Sequence, residues 1–182
     1  MHRDLKPSNV ILTRSGAKLL DFGVAKPRSA LSIVEADGTA EQPLTQNGTI
    51  TGTLQYMAPE QLEGHEADAR SDIFSFGAVL FETVTGKKAF EARSKATLIA
   101  RIIQSEPTAG ANAGISVPPA LEYLIRTCLA KAPDDRWQSA HDILLGLQRI
   151  ADERSTKVAT ARGPVLSSRL WSYALMTTEA NP

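Results

Sequence analysis

Eight residues near the start of the chain carry much of its chemical potential: His2-Arg3-Asp4-Leu5-Lys6-Pro7-Ser8-Asn9. Asp4 is a carboxylate that can accept the proton of a hydroxyl group. Lys6, two residues on, can face the same reacting centre and counter charge on a transferred phosphoryl group. Asn9 brings a neutral carbonyl oxygen, and Asp21, at the head of Asp21-Phe22-Gly23, brings a charged one. Two hard oxygen ligands suit Mg²⁺, which keeps phosphates and water as its remaining partners. An Asp-x-Lys triplet alone reads as a solvated turn. Its continuation into Asp21-Phe22-Gly23 and later Ala58-Pro59-Glu60 is a compound motif of much higher specificity.

Those residues need a scaffold. The short apolar runs at 9–12 and 17–20 flank Arg14-Ser15-Gly16, and they predict a small β-hairpin with Asn9 at one end and Asp21 at the other. Both oxygen ligands then sit at one mouth. Residues 27–53 are polar and without sustained periodicity, broken by Gly38, Pro43, Asn47 and Gly48, so they predict a long loop. Loops of this length are usually functional or disordered. Ser71–Thr85 predicts a buried helix, apolar on nearly all sides and stopped by Gly86. Ser94–Glu106 predicts an amphipathic helix ending before Pro107, and 108–117 a Gly/Ala-rich loop. Pro119–Ala130 predicts a further helix. Ser139-x-x-Asp142 looks like a capping box opening the last one, to about Glu153.

Composition narrows the class. The chain has 182 residues, 42% hydrophobic and 22% charged, as in an ordinary globular domain. Twenty basic residues balance twenty acidic ones, which gives no nucleic-acid or membrane-surface footprint. Cys128 is the single cysteine, so no internal disulfide forms. Its setting in Leu124-Ile125-Arg126-Thr127-Cys128-Leu129 reads as a buried helix face, and a reducing, cytoplasmic compartment is expected. His2, His65 and His141 lack metal-ligand spacing. No signal-peptide organisation is seen. Residues 154–182 read as a linker and tail. Val165–Met176 carries Arg169 and several serines, well short of the ~20 apolar residues of a membrane span.

Together, His2–Asn9, Asp21-Phe22-Gly23 and Gly52-Thr53-Leu54-Gln55-Tyr56-Met57-Ala58-Pro59-Glu60 resemble the catalytic loop, metal-binding loop and end of the activation segment of eukaryotic-type (Hanks-type) serine/threonine protein kinases, in a bacterial style. The resemblance implies a mainly α (α+β kinase-like) fold: a large-lobe fragment with a small β-hairpin at the active site. Residues 1–153 would be a partial kinase domain and 154–182 a linker and tail. The implied activity is transfer of the ATP γ-phosphoryl to protein Ser/Thr hydroxyls. Asp4 would be the base, Lys6 the charge stabiliser, and Thr53 the hydroxyl that orients both. Asn9 and Asp21 would hold Mg²⁺. Lys6, Asn9, Ile11 and Asp21 would face ATP, with Val10, Ile11 and Leu12 under the adenine ring, as core strand residues, or both. Phe22 and His2 would stack in a spine. Thr45, Thr49 and Thr51 are candidate phosphosites, or else ordinary loop threonines. Arg3 and Lys26 would pair with a phosphate there. Glu60 would form a buried ion pair with Arg136, and Asp72 would hold the backbone of the catalytic loop.

The resemblance covers only the later part of such a domain. No Gly-x-Gly-x-x-Gly loop and no Val-Ala-x-Lys strand occur. Phosphoryl transfer depends mainly on positioning and electrostatics. A chain without the small lobe is therefore expected to hold ATP poorly and to be inactive alone. Apolar surface on the central helix is expected to be uncovered. The alternative is a non-catalytic binding module or decoy; complementation by a separate small-lobe chain is a third reading. Expected partners are protein substrates and ATP, with no nucleic acid and no membrane span.

Overall fold

A computed structural model describes residues 1–20, 53–107 and 117–161. Two strands, β1 (Val10–Thr13) and β2 (Gly16–Leu19), pair antiparallel with Val10 opposite Leu19 and Thr13 opposite Gly16. Gly16, at φ +112°, supplies the backbone conformation this tight turn needs. Among the described residues five helices follow: α1 (Pro59–Leu62), α2 (Ala69–Thr85), α3 (Lys95–Gln104), α4 (Pro119–Cys128) and α5 (Ala140–Ala161). Single 3-10 turns lie at Pro7–Asn9, Leu54–Tyr56 and Pro133–Asp135. The mainly helical fold with one hairpin is the one anticipated.

The chain divides into two compact units, Met1–Gly146 and Leu147–Pro182. The core of the first is built on α2. Phe74, Ala78 and Phe81 of that helix are buried with Leu54, Tyr56, Ala58 and Leu62, with Phe90, with Leu98 and Ile102 of α3, and with Ile125 and Leu129. Gly77 lets α4 approach: a Cβ built there would lie 2.6 Å from the Cys128 Cβ. The Phe74 and Phe90 rings stack 5.9 Å apart and within 4° of parallel. Lys131 closes one side of this pair. Its Nζ lies 4.5 Å from the Phe90 centroid and donates to the Ile102 carbonyl at 2.6 Å, at the end of α3. Burial lowers its pKa to about 8.

Helix ends differ from expectation by their caps. Helix α2 begins at Ala69, ahead of the expected Ser71, because the Asp68 carboxylate accepts from the Arg70 N–H at 2.7 Å. Gly86, at φ +68°, ends it as expected. Helices α3 and α4 each stop two residues early, at Gln104 and Cys128. Helix α5 opens on Ser139, whose Oγ accepts from the Asp142 N–H at 3.2 Å. It runs to Ala161, through part of the stretch expected to be a linker from Ser155. Residues 151–161 include alanines, Glu153 and Lys157 and contain neither glycine nor proline, so nothing in them stops a helix.

One expectation fails. The exposed large apolar residues are not on the central helix, where Val79, Leu80 and Val84 are partly buried against the core. They include Ile11, Leu12, Leu19 and Leu20 of the hairpin region, together with Tyr123, Leu144 and Leu145. Nor is β1 a core strand: Val10 is half-buried, while Ile11 and Leu12 are exposed. Among the described residues the hairpin has only its two strands, with no further strand beside them.

Candidate active site

The catalytic-loop sequence makes a compact turn. Pro7 opens a 3-10 turn closed by the Asn9 N–H on the Lys6 carbonyl at 3.0 Å. Asn9 is buried, and its Nδ2 donates to the Asp4 carbonyl at 2.8 Å and to Asp4 Oδ2 at 3.2 Å. Lys6 Nζ reaches the same Oδ2 at 2.8 Å. Among the described residues Asp4 Oδ1 accepts no hydrogen bond, while Oδ2 is taken by Asn9 and Lys6. Lys6 Nζ also donates to Thr53 Oγ1 at 3.2 Å, across 47 residues. Asp4, Lys6, Asn9 and Thr53 are thus brought together.

Two devices hold this loop. The first is Asp72, in the first turn of α2. Its Oδ2 accepts from the His2 N–H at 2.5 Å and its Oδ1 from the Arg3 N–H at 2.7 Å. Arg3 sits at φ +68°, a left-handed conformation unusual for a residue with a side chain, and the two charge-assisted bonds hold it there. The second is the hairpin. The Leu20 N–H bonds the Asn9 carbonyl at 2.8 Å, and His2 Nε2 lies 2.9 Å from the Leu20 carbonyl, so β2 returns the chain to the loop. His2 is buried.

The segment carrying Thr53 is fixed from the other side. Tyr56 N–H closes on the Thr53 carbonyl at 3.2 Å. Ser75 Oγ of α2 donates to the Tyr56 carbonyl at 2.7 Å, and the Tyr56 hydroxyl donates to Glu82 Oε2 at 2.6 Å. Burial and then Glu82 push the Tyr56 phenol well above its ordinary range. Glu60 forms the expected ion pair: Arg136 Nη1 meets Oε1 at 2.8 Å and Nη2 meets Oε2 at 2.7 Å, with Ser71 Oγ donating to Oε1 at 2.6 Å. Burial by itself would raise the Glu60 carboxyl; the Arg136 and Ser71 hydrogen bonds outweigh it and hold the group below its ordinary value.

Ile11 lies on β1, 46% exposed, and Arg3 is exposed at the loop. Asp21, Phe22, Lys26, Thr45, Thr49 and Thr51 lie outside the described residues. Sequence reasoning did not single out Ser71, Ser75 or the Tyr56–Glu82 pair. The first two had a signal: serines four apart on one face of an otherwise apolar helix.

The family described as "Protein kinase domain" matches residues 1–145. A probable serine/threonine-protein kinase of Streptomyces coelicolor is 32% identical over 174 residues, 95% of this chain and 24% of that protein. The probable serine/threonine-protein kinase PknB of Corynebacterium glutamicum is 34% identical over 166 residues, 88% of this chain and 24% of its own length. The serine/threonine-protein kinase PknB of Mycolicibacterium smegmatis is 34% identical over 151 residues, 82% of this chain and 23% of its length. The chain therefore spans about a quarter of the length of these relatives. The matched span contains the Asp4–Lys6–Asn9 loop, Thr53 and the Glu60–Arg136 pair, and the chain belongs to the protein kinase domain family, in its serine/threonine branch.

Proposed function

We propose that residues 1–153 contribute the large-lobe side of a serine/threonine protein kinase site, which moves the ATP γ-phosphoryl to a protein hydroxyl. The observation that carries this reading is the convergence of Lys6 Nζ on Asp4 Oδ2 at 2.8 Å and on Thr53 Oγ1 at 3.2 Å. The hydroxyl proton of the substrate passes to Asp4 Oδ1 as its oxygen bonds to the γ-phosphorus. The bond from that phosphorus to the bridging oxygen breaks, and ADP leaves with the electron pair. Lys6 holds positive charge beside the reacting oxygens, and Thr53 fixes its direction.

Asn9 fits a role toward Mg²⁺. Its amide nitrogen is committed to Asp4, which turns the carbonyl oxygen, a hard donor, away from that contact. Asp21 is proposed as the second ligand and Lys6 as an ATP contact. Bound Mg²⁺ would neutralise phosphate charge. Ile11, exposed on β1, is proposed to meet the adenine ring. Arg3 and Lys26 are proposed to receive a phosphate on Thr45, Thr49 or Thr51.

Residues 154–182 are proposed as an appended segment. Among the described residues no helix is long and apolar enough to cross a membrane. The buried Cys128 thiol, its pKa raised by burial to about 12, fits a reducing, cytoplasmic setting.

The test is Mg²⁺-ATP-dependent phosphate transfer to a generic Ser/Thr substrate by the 182-residue chain, with Asp4→Asn as control, alone and with a kinase small lobe added in trans. Transfer in either arm that Asp4→Asn abolishes supports the reading. A folded chain inactive in both arms overturns it and favours a binding module.

A further inference from the structure

Helix α2 touches both halves of the candidate site within one turn. Asp72 accepts from the His2 and Arg3 amides and so fixes the loop bearing Asp4 and Lys6. Three residues on, Ser75 donates to the Tyr56 carbonyl at 2.7 Å and so fixes the turn that follows Thr53. The turn is closed by the Tyr56 N–H on the Thr53 carbonyl, so a single residue, Tyr56, links the Ser75 contact to the Thr53 backbone. Across the gap Lys6 and Thr53 meet at 3.2 Å.

Ser75 is buried, and its hydroxyl has a second acceptor, the Ser71 carbonyl at 3.1 Å. The Ser71 carbonyl is the ordinary back-bond of a helical serine. The shorter bond goes instead to a loop 19 residues away. A residue needed only to fill space would not require a hydroxyl there. At this depth alanine or cysteine would fit the volume, and a buried hydroxyl carries a desolvation cost unless it is bonded.

We propose that Ser75 is a positioning residue for phosphoryl transfer. Through the Tyr56 carbonyl it sets where Thr53 stands relative to Lys6, while Asp72 holds the opposing loop from the same helical turn. One rigid helix thereby fixes the spacing of two segments 47 residues apart in sequence. Loss of the Ser75 hydroxyl leaves Asp4, Lys6 and Thr53 all present but lets Thr53 drift from Lys6. The role of this contact in turnover rests on the kinase reading; the coupling of Ser75 to Lys6 does not.

The experiment reads Lys6 directly. The 182-residue chain is reductively methylated with ¹³C on its lysines, and the Lys6 methyl signal is assigned by its loss in Lys6→Arg. Ser75→Ala should move that signal in the same direction as Thr53→Val, with an unchanged helical circular dichroism spectrum. A Lys6 signal that stays at its wild-type position in Ser75→Ala overturns the proposal. Ser75→Cys keeps nearly the same volume with a weak donor and should give a smaller movement. Two variants that both fail to fold would assign Ser75 to the core alone and also overturn it. Where the chain transfers phosphate, Ser75→Ala should lower kcat about tenfold with an unchanged KM for ATP. In a Thr53→Ala background the same change should cost nothing further, whereas a purely structural role would remain additive. Absence of transfer bears on the kinase reading alone, because the Lys6 signal still decides the clamp.

Discussion

Arg136 and Glu60 meet across 76 residues in a two-pronged pair, Nη1 on Oε1 at 2.8 Å and Nη2 on Oε2 at 2.7 Å. The same guanidinium also donates to the carbonyls of Arg70, Ala130 and Lys131. It therefore ties the start of α1, the start of α2 and the loop after α4 at a single buried point. Removing it would leave Glu60 as a buried charge and take one donor from each of three carbonyls. Arg136→Ala is expected to cost about 3–5 kcal/mol, read as a drop in the urea midpoint. Arg136→Lys keeps the charge but not the fork, and should recover only part of the loss.

The same pair sets an acid limit on stability. The Glu60 pKa is lowered in the folded chain from an ordinary value of 4.5. Its contribution is fully present above that ordinary value and is lost as pH falls through the lowered folded value. Thermal melts of the wild type should therefore keep this contribution at neutral pH and lose it only below about 4.5. Glu60→Gln, which cannot ionise, should begin less stable and show a flatter acid limb. An acid limb as steep in Glu60→Gln as in the wild type would place the titration elsewhere.

Asp72 binds the His2 and Arg3 amides at 2.5 and 2.7 Å and holds Arg3 at φ +68°. Asp72→Ala should cost about 1–3 kcal/mol through the two amides it leaves without an acceptor. It should also lower any phosphate transfer by more than the loss of folded chain at the assay temperature accounts for, because the loop it releases carries Asp4. Asp72→Asn retains one acceptor oxygen and should fall between the two. Equal stability and transfer in Asp72→Ala and the wild type would contradict this role.

Much of this site was legible because its residues sit in short contiguous motifs. Asp4, Lys6 and Asn9 lie within one turn, so their order in the chain nearly sets their order in space. The Glu60–Arg136 pair and the Asp72 contact were legible only through the family resemblance, since nothing local links partners some 70 residues apart. The Ser75–Tyr56 and Lys131–Ile102 bonds were not legible. Each joins a side chain to a backbone carbonyl, and a carbonyl carries no residue identity. For Ile11 and Leu12 the apolar run predicted a strand but not what covers it, and their exposure goes against the core alternative alone.

Two glycines separate packing from backbone conformation. At Gly77 a Cβ would lie 2.6 Å from Cys128 Cβ and 3.1 Å from Leu129 Cγ, where α2 and α4 touch. Gly77→Ala should push those helices apart at about 1–3 kcal/mol. Cys128→Gly should relieve part of that cost in a double variant. At Gly86 nothing lies within 4 Å of the built Cβ, but φ is +68°. Gly86→Ala should cost about 1–2 kcal/mol through conformation alone, with no rescue by any neighbour. Chemical denaturation of the four chains tests both claims.

Lys6 gives the sharpest test of the chemistry. Its Nζ is a single point charge that serves Asp4 Oδ2 and Thr53 Oγ1 at once, at 2.8 and 3.2 Å. Arginine carries the same charge on a longer, planar fork, so it cannot put one nitrogen at both places without moving the Thr53 turn, and that turn is anchored by Ser75. Lys6→Arg should therefore lower kcat nearly as far as Lys6→Met, by about 10²-fold or more, with charge preserved in one and lost in the other. The Lys6 and Asp4 side chains are both partly exposed, so neither variant should change the unfolding free energy from urea denaturation by more than about 1 kcal/mol. Retention of most activity in Lys6→Arg would show that net charge suffices, and that the fixed Lys6–Thr53 contact is not what the site requires.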